Sequence, residues 1–187
     1  MKTILLFLVA MMFGLVTNTY AQDKYATQTG HVWFISKASE TIQGDNKTAA
    51  SFMDITTGDL AIRMLIKSFK FESALMEEHF NENYMESTKF PKSEFKGKIT
   101  NLSDINFKKD GVYKAVVNGD LTIHGITNPV TTEGTIEVKG AQIMAKSSFK
   151  ITIADFKIEI PSLVEDKIAK SFNIEVELTY DKLPAAK

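Results

Sequence analysis

Four segments of the chain alternate apolar and polar residues, and this period of two constrains the fold more than any other feature. In 113–123 the odd positions Tyr113, Ala115, Val117, Gly119, Leu121 and Ile123 share one face, with Lys114, Asn118, Asp120 and Thr122 on the other. In 130–138 the even row Val130, Thr132, Gly134, Ile136 and Val138 alternates with Thr131, Glu133, Thr135 and Glu137. The odd row of 143–153 holds Ile143, Ala145, Ser147, Phe149, Ile151 and Ile153, and in 172–180 the even row holds Phe172, Ile174, Val176, Leu178 and Tyr180. Such rows are strands with one dry and one wet face. Weaker strands are expected over 31–38, 49–55, 60–69 and 95–102. Turn residues separate most of them: Gln43–Asn46, Thr56–Asp59, Asp110-Gly111 and Lys139-Gly140.

Eight strands joined mostly by short turns predict an all-β antiparallel up-and-down sheet, and closing it into a barrel removes two unpaired edges. A two-sheet sandwich is the alternative. The wet rows carry Lys, Glu, Asp and Asn along whole strands. They cannot face lipid, where a midplane Lys costs about 2–4 kcal/mol. The apolar rows therefore point inward.

One stretch breaks the strand pattern. In FESALMEEHFNENYMESTKFP, residues 71–91, Met76, Phe80 and Tyr84 fall at i, i+4, i+8, opposite Glu78, Glu82 and Glu86. Ser73 is the expected N-cap and Pro91 the expected stop. Leu75 and Met85 fall near the charged side and spoil the stripe. An isolated helix of about 15 residues is marginal in water, so the stripe must dock. We expect it to cover the open end of the barrel; packing on the outside of the sheet is the alternative.

The inward rows include Gly97, Ala115, Gly119, Gly134, Ala145 and Ser147, small residues that leave room between the walls Phe95, Tyr113, Phe149 and Phe172. An eight-stranded barrel is either filled by its own side chains or holds one small ligand; these rows predict the second. No inner row supplies a charge, so the expected ligand is long and apolar. The expected lining is Met76, Phe80, Tyr84, Phe90, Phe95, Tyr113, Ala115, Val117, Gly119, Leu121, Phe149, Ile151, Phe172 and Ile174.

The chain opens MKTILLFLVAMMFGLVTNTYAQ, with Lys2, an uncharged run from Ile4 to Val16 and small residues at Thr19 and Ala21. This is the pattern of a signal peptide cleaved near Ala21, followed by one domain over 22–187. The run is shorter than the roughly 20 residues that span hydrocarbon. Of 22 Lys+Arg and 23 Asp+Glu, Lys2 leaves with residues 1–21, so the remainder carries 21 − 23 = −2. That balance does not recruit nucleic acid or an anionic membrane. Cysteine is absent, which excludes a thiol nucleophile, disulfides and a lipid-bearing cysteine. No G-x-S-x-G or H-E-x-x-H motif occurs. His31, His79 and His124 are not at metal-ligand spacing, and His124-Gly125 reads as a turn. We expect no catalytic residues, no metal and no cofactor, and an exported protein, periplasmic or secreted, with no stable membrane insertion. A homodimer is left open, and a non-catalytic protein-interaction module with a filled barrel is the competing reading.

The runs FKFESALMEEHFNENYMESTKFPKSEFKG, GDLTIHGITNPV and SSFKITIADFKIEIP, in this order, resemble the YceI-like family of periplasmic lipid-binding proteins. The shared features are E-H-F-x-x-x-Y-x-x-x-x-x-[FY]-P, H-G-[IVT]-T-x-x-V and D-F-x-I-x-I-P. The resemblance implies an extended lipocalin-like barrel, no enzymatic activity, and a polyisoprenoid or other long amphiphile as ligand. By position it implies Phe80, Tyr84, Phe90, Phe95 and Phe149 as lining residues.

Overall fold

The structure, a computed structural model, describes residues 23–37 and 41–184; the expected signal peptide lies outside them. Eight strands close into an antiparallel barrel in which each pairs with its sequence neighbours. They are β1 (Lys24–Lys37), β2 (Thr41–Asp54), β3 (Asp59–Leu65), β4 (Lys92–Ile99), β5 (Gly111–Ile123), β6 (Ile126–Lys139), β7 (Gln142–Thr152) and β8 (Ser171–Lys182). β1 and β8 complete the ring, from Tyr25↔Lys182 to Ile35↔Asn173. The sandwich alternative is thereby excluded. Among the described residues one α-helix, α1 (Ala74–His79), lies between β3 and β4. Among the described residues no helix is long and apolar enough to cross a membrane.

Turn chemistry sets much of the register. His124 (φ 51) and Gly125 (φ 74) join β5 to β6 with two consecutive left-handed residues, the two-residue hairpin geometry that matches strand twist. Gly58 (φ 77) and Gly140 (φ 59) serve the β2–β3 and β6–β7 turns.

The first half departs from expectation. The polar tetrad Gln43–Asn46 is not a turn; it lies inside β2. Asp45 exchanges two backbone hydrogen bonds with Lys70, 2.9 and 2.7 Å. Asn46 is fully buried. Its amide nitrogen donates to the Leu65 carbonyl (3.1 Å), and its oxygen accepts from the Thr48 amide and hydroxyl (2.8 and 3.0 Å). Its burial is tolerated because its polar groups find partners, and the same burial removes the Asn46-Lys47-Thr48 sequon from the surface a glycan needs.

Two apolar clusters lie at different heights in the barrel. One gathers Tyr25, Met53, Ile99, Ile105, Ile136, Val138, Ile143, Leu178 and Tyr180. The other gathers Ile66, Met85, Leu121, Ile153, Phe156 and Ile158 at the helix end. The second draws on the long β7–β8 connection, whose Ile153–Phe156 3-10 turn buries Ile153 and Phe156.

Candidate ligand-binding site

The interior is not filled. A cavity of about 570 Å³ is bounded by residues of both clusters and by the helical segment. That volume lies within the usual range for a site holding one ligand.

The helical segment forms the cover, and its winding departs from the sequence reading. Ser73 Oγ accepts from the Met76 amide at 3.5 Å, the expected N-cap. α1 then gives way to a π-helical turn at Phe80–Tyr84, where the Met85 amide donates to the Phe80 carbonyl at 2.9 Å. The wider turn moves Met85 off the charged side and buries it, so Met76, Phe80, Tyr84 and Met85 all face the cavity. Underwinding, a device common at functional sites, thus absorbs the Met85 half of the anomaly, while Leu75, ahead of the π-turn, stays largely exposed. The segment ends well before Pro91, because Glu86 (φ 41) turns left-handed.

Two contacts pin this cover. On one flank Phe80 packs against Phe34, Phe69 and Phe71 with ring centroids 5.7, 5.5 and 4.9 Å apart. Phe34 also meets Phe69, Phe71 and Phe172 at 5.5, 5.9 and 5.5 Å. At about 0.5–1.5 kcal/mol for each pair beyond area burial, the three Phe80 contacts hold the segment by a few kcal/mol, and the Phe34 contacts tie the cluster to the barrel. On the other flank His124 Nε2 lies 2.8 Å from Glu86 Oε2, and its Nδ1 lies 3.3 Å from the Phe156 carbonyl. The ring nitrogen that faces Glu86 donates to its carboxylate. The hydrogen bond from His124 holds the Glu86 carboxyl below its ordinary value, and Lys89 nearby adds to this.

Of the expected lining, Met76, Phe80, Tyr84, Phe95, Ala115, Val117, Leu121, Phe149, Ile151, Phe172 and Ile174 surround the cavity. Three do not. Phe90 lies outside it, its ring 4.5 Å from His124 with Lys89 Nζ over its face at 4.8 Å; the early end of the helix carries it away. Tyr113 packs against the far cluster, and its hydroxyl donates to the Lys109 carbonyl at 2.9 Å. Gly119 pairs directly with Gly97, and the two do not open space. A Cβ at Gly119 would lie 2.4 Å from the Lys96 carbonyl oxygen and 2.6 Å from Phe95 Cζ. The Phe95 ring lies across both glycines, so their missing side chains seat an aromatic ring. Ala115, Gly134, Ala145 and Ser147 do border the cavity.

Alternation also missed lining residues. Val32 and Phe34 on β1, Phe69 and Phe71 before the helix, and Ile158 and Ile168 in the β7–β8 connection all line the space. The β1 pair sits on the even row of a strand whose odd row, Trp33 and Ile35, is apolar too, which blurs the pattern.

The lining is mostly aliphatic and aromatic, without a carboxylate; contrary to the expectation of an uncharged lining, His79, Lys146 and Lys167 border it at its edges. Its polar members are largely satisfied elsewhere. Ser93 Oγ donates to the Thr122 carbonyl at 2.8 Å, Ser147 Oγ to the Glu133 carbonyl at 2.9 Å, and Lys146 Nζ to Glu177 at 2.8 Å. Burial pushes the Tyr84 phenol up. Such a space can hold a chain by area burial and offers no convergent reactive pair. Among the described residues no group of three His, Cys, Asp or Glu could hold a metal ion.

The architecture has solved counterparts. A polyisoprenoid-binding domain from Saccharophagus degradans, described as implicated in plant cell wall breakdown, superposes with a TM-score of 0.76 at 13% identity, over 87% of this chain and 99% of its own. BcnA from Burkholderia cenocepacia matches with a TM-score of 0.67 at 18% identity, over 80% of this chain and 95% of its own. The YCEI protein of Campylobacter jejuni matches with a TM-score of 0.59 at 18% identity, over 75% and 85%. At these identities the likeness is one of fold. A comparison with curated proteins finds no match. The family model for the YceI-like domain matches residues 20–180, almost the whole barrel, and the chain belongs to that family.

Proposed function

We propose that the protein binds, and carries or sequesters, a long-chain hydrophobic molecule inside its barrel, a polyisoprenoid or another amphiphilic lipid, without catalysing a reaction on it. The observation that carries this reading is the unfilled interior of about 570 Å³ with a carboxylate-free, mostly apolar lining. At roughly 30 Å³ for each water-sized group, it has room for about twenty chain carbons. At about 0.8 kcal/mol for each buried CH₂, such a chain gains roughly 15 kcal/mol. Association costs about 4–15 kcal/mol, so the tail supplies the net affinity and a polar head adds little. The ligand named for the Saccharophagus degradans domain is of this class. The opening segment of the chain supports export, with the protein acting in the periplasm or outside the cell.

The test is organic extraction of the folded, purified protein followed by mass spectrometry. A recurrent prenyl or acyl species, at a fixed ratio to protein, is expected. A protein that yields nothing and takes up no long-chain molecule overturns the reading. The competing interaction module requires a barrel filled by its own side chains, which this interior does not support.

A further inference from the structure

The seam between β6 and β7 is laddered over only part of its length; β2 and β3 also pair briefly, but there Lys70 bridges to Asp45 beyond the ladder. β5 and β6 pair along their length, from Gly111↔Val138 to Ile123↔Ile126, and β7 and β8 pair from Ile143↔Tyr180 to Thr152↔Ser171. Between β6 and β7 the pairing runs only from Lys139↔Gln142 to Gly134↔Ser147. Beyond that fork, residues 126–133 of β6 and 148–152 of β7 diverge as two lips, the shorter about 16 Å long at 3.3 Å per residue.

The lips border the cavity. Val130 and Thr132 on one side, Phe149 and Ile151 on the other, all line it and all remain partly exposed. Near the fork the cavity surface also takes in Thr135 and Lys146, whose positions alternate outward and are exposed. Side chains alone join the lips. At the fork Thr132 Oγ1 lies 2.9 Å from Ser147 Oγ, which donates to the Glu133 carbonyl. At the far end Asn128 donates to the Asp155 carbonyl at 2.7 Å.

The sequence keeps the seam from zipping. Pro129 sits in the β6 lip, where its missing N–H would break a ladder, and proline is confined to unpaired edges of this kind. Gly134 marks the fork, where a Cβ would lie 2.3 Å from the Lys146 carbonyl oxygen. The helical cover, in contrast, is held by the phenylalanine cluster and the Glu86–His124 bond.

We propose that the β6–β7 seam is the portal through which a hydrocarbon chain passes into and out of the barrel, while the helical cover stays closed. This rests on the long-chain binding reading. The chain contains no cysteine, so paired thiols can be placed cleanly. In T131C/K150C, exposed positions on facing lips, a short bifunctional thiol reagent added after folding bridges the seam. In K70C/E77C, whose wild-type side chains pair at 2.7 Å, the same reagent ties α1 to the chain before it. Uptake of parinaric acid, a fluorescent polyene fatty acid, is followed by stopped flow before and after bridging.

Bridging the seam is expected to slow uptake and release by about tenfold or more, and bridging the helix to leave both within about twofold, against the one to three decades over which association rates ordinarily vary. A slowed helix-bridged protein beside an unaffected seam-bridged one overturns the portal alone. Unmodified protein that takes up no parinaric acid, and yields no lipid on extraction, overturns the binding reading and the portal with it.

Discussion

The Tyr180 hydroxyl on β8 lies 2.7 Å from Ser51 Oγ on β2, reaching past β1 inside the barrel. Ser51 Oγ donates its one proton to the Ala61 carbonyl at 2.9 Å, so Tyr180 donates to Ser51. Tyr180 is fully buried. Replacing Ser51 with Ala strands a buried phenol and is expected to cost about 1–3 kcal/mol; Tyr180→Phe loses one bond without stranding a donor and should cost about 1. Denaturant titration of both variants checks the order. Burial pushes the Tyr180 phenol up. Its contribution is therefore complete below the ordinary phenol value of 10.0 and is lost as pH climbs from there toward the folded value. Tyr180→Phe should flatten the alkaline limb of the stability curve.

The Gly97–Gly119 pair makes a second prediction, because its role is seating Phe95. Gly119→Ala puts a methyl against the Lys96 carbonyl, and Gly97→Ala one within 2.3 Å of the Asn118 carbonyl. Backbone must move in either case, and each variant is expected to lose more than about 2 kcal/mol, the severe end for a single substitution. Thermal melts measure this. Melting within a degree or two of wild type would show that the strands part at no cost.

The contrast between these glycines and Ala115 marks what could be read in the sequence. Alternation gives the direction of a side chain with high fidelity, and Leu121, Phe149, Ile151 and Phe172 all face the cavity as their rows require. It carries no information about height along the barrel, so Tyr113, on the same row as Ala115, lies beyond the cavity. Nor does it say whether a missing side chain leaves space or is covered, as Phe95 covers Gly97 and Gly119. The strands of the second half were legible because one face is wet and the other dry. β2 was not, because Gly44, Asp45 and Asn46 resemble a turn until the chain brings Lys70 and Leu65 beside them. The π-helical turn had a trace in the misplaced Met85, but its meaning depends on a barrel end being there to receive it.

Ala115 tests the cavity directly. It is buried at 3% exposure and borders the space. Ala115→Phe fills part of the cavity without meeting the backbone conflict at Gly119. Overpacking should cost about 1–3 kcal/mol of stability, and affinity for a long-chain ligand should fall by about tenfold or more, equal to 1.4 kcal/mol. Circular dichroism establishes the fold and fluorescence titration with parinaric acid gives the affinity. A folded variant with undiminished affinity would place the chain elsewhere.

The Glu86–His124 bond closes the cover at the far side from the phenylalanine cluster, and it couples the cover to acid. Glu86 is the depressed partner, so its stabilising contribution is complete above the ordinary carboxylate value of 4.5 and disappears as pH falls through its lower folded value. Lys89 Nζ, 3.6 Å from Glu86 Oε1, faces the same carboxylate and favours its charged form. Glu86→Gln keeps the shape and removes the titration. The variant is expected to melt lower than wild type at neutral pH, and the difference should shrink as the medium is acidified past the Glu86 transition, where the wild-type carboxyl is neutral as well. Amide exchange resolves where the loss falls: the amides of Met85, Ser87, Lys89 and Phe90, which donate to the carbonyls of Phe80, Asn81 and Glu86, should exchange faster in the variant, while those of β5 and β6 keep their protection. A gap that persists unchanged at low pH would show that Glu86 holds the cover by packing and not by charge.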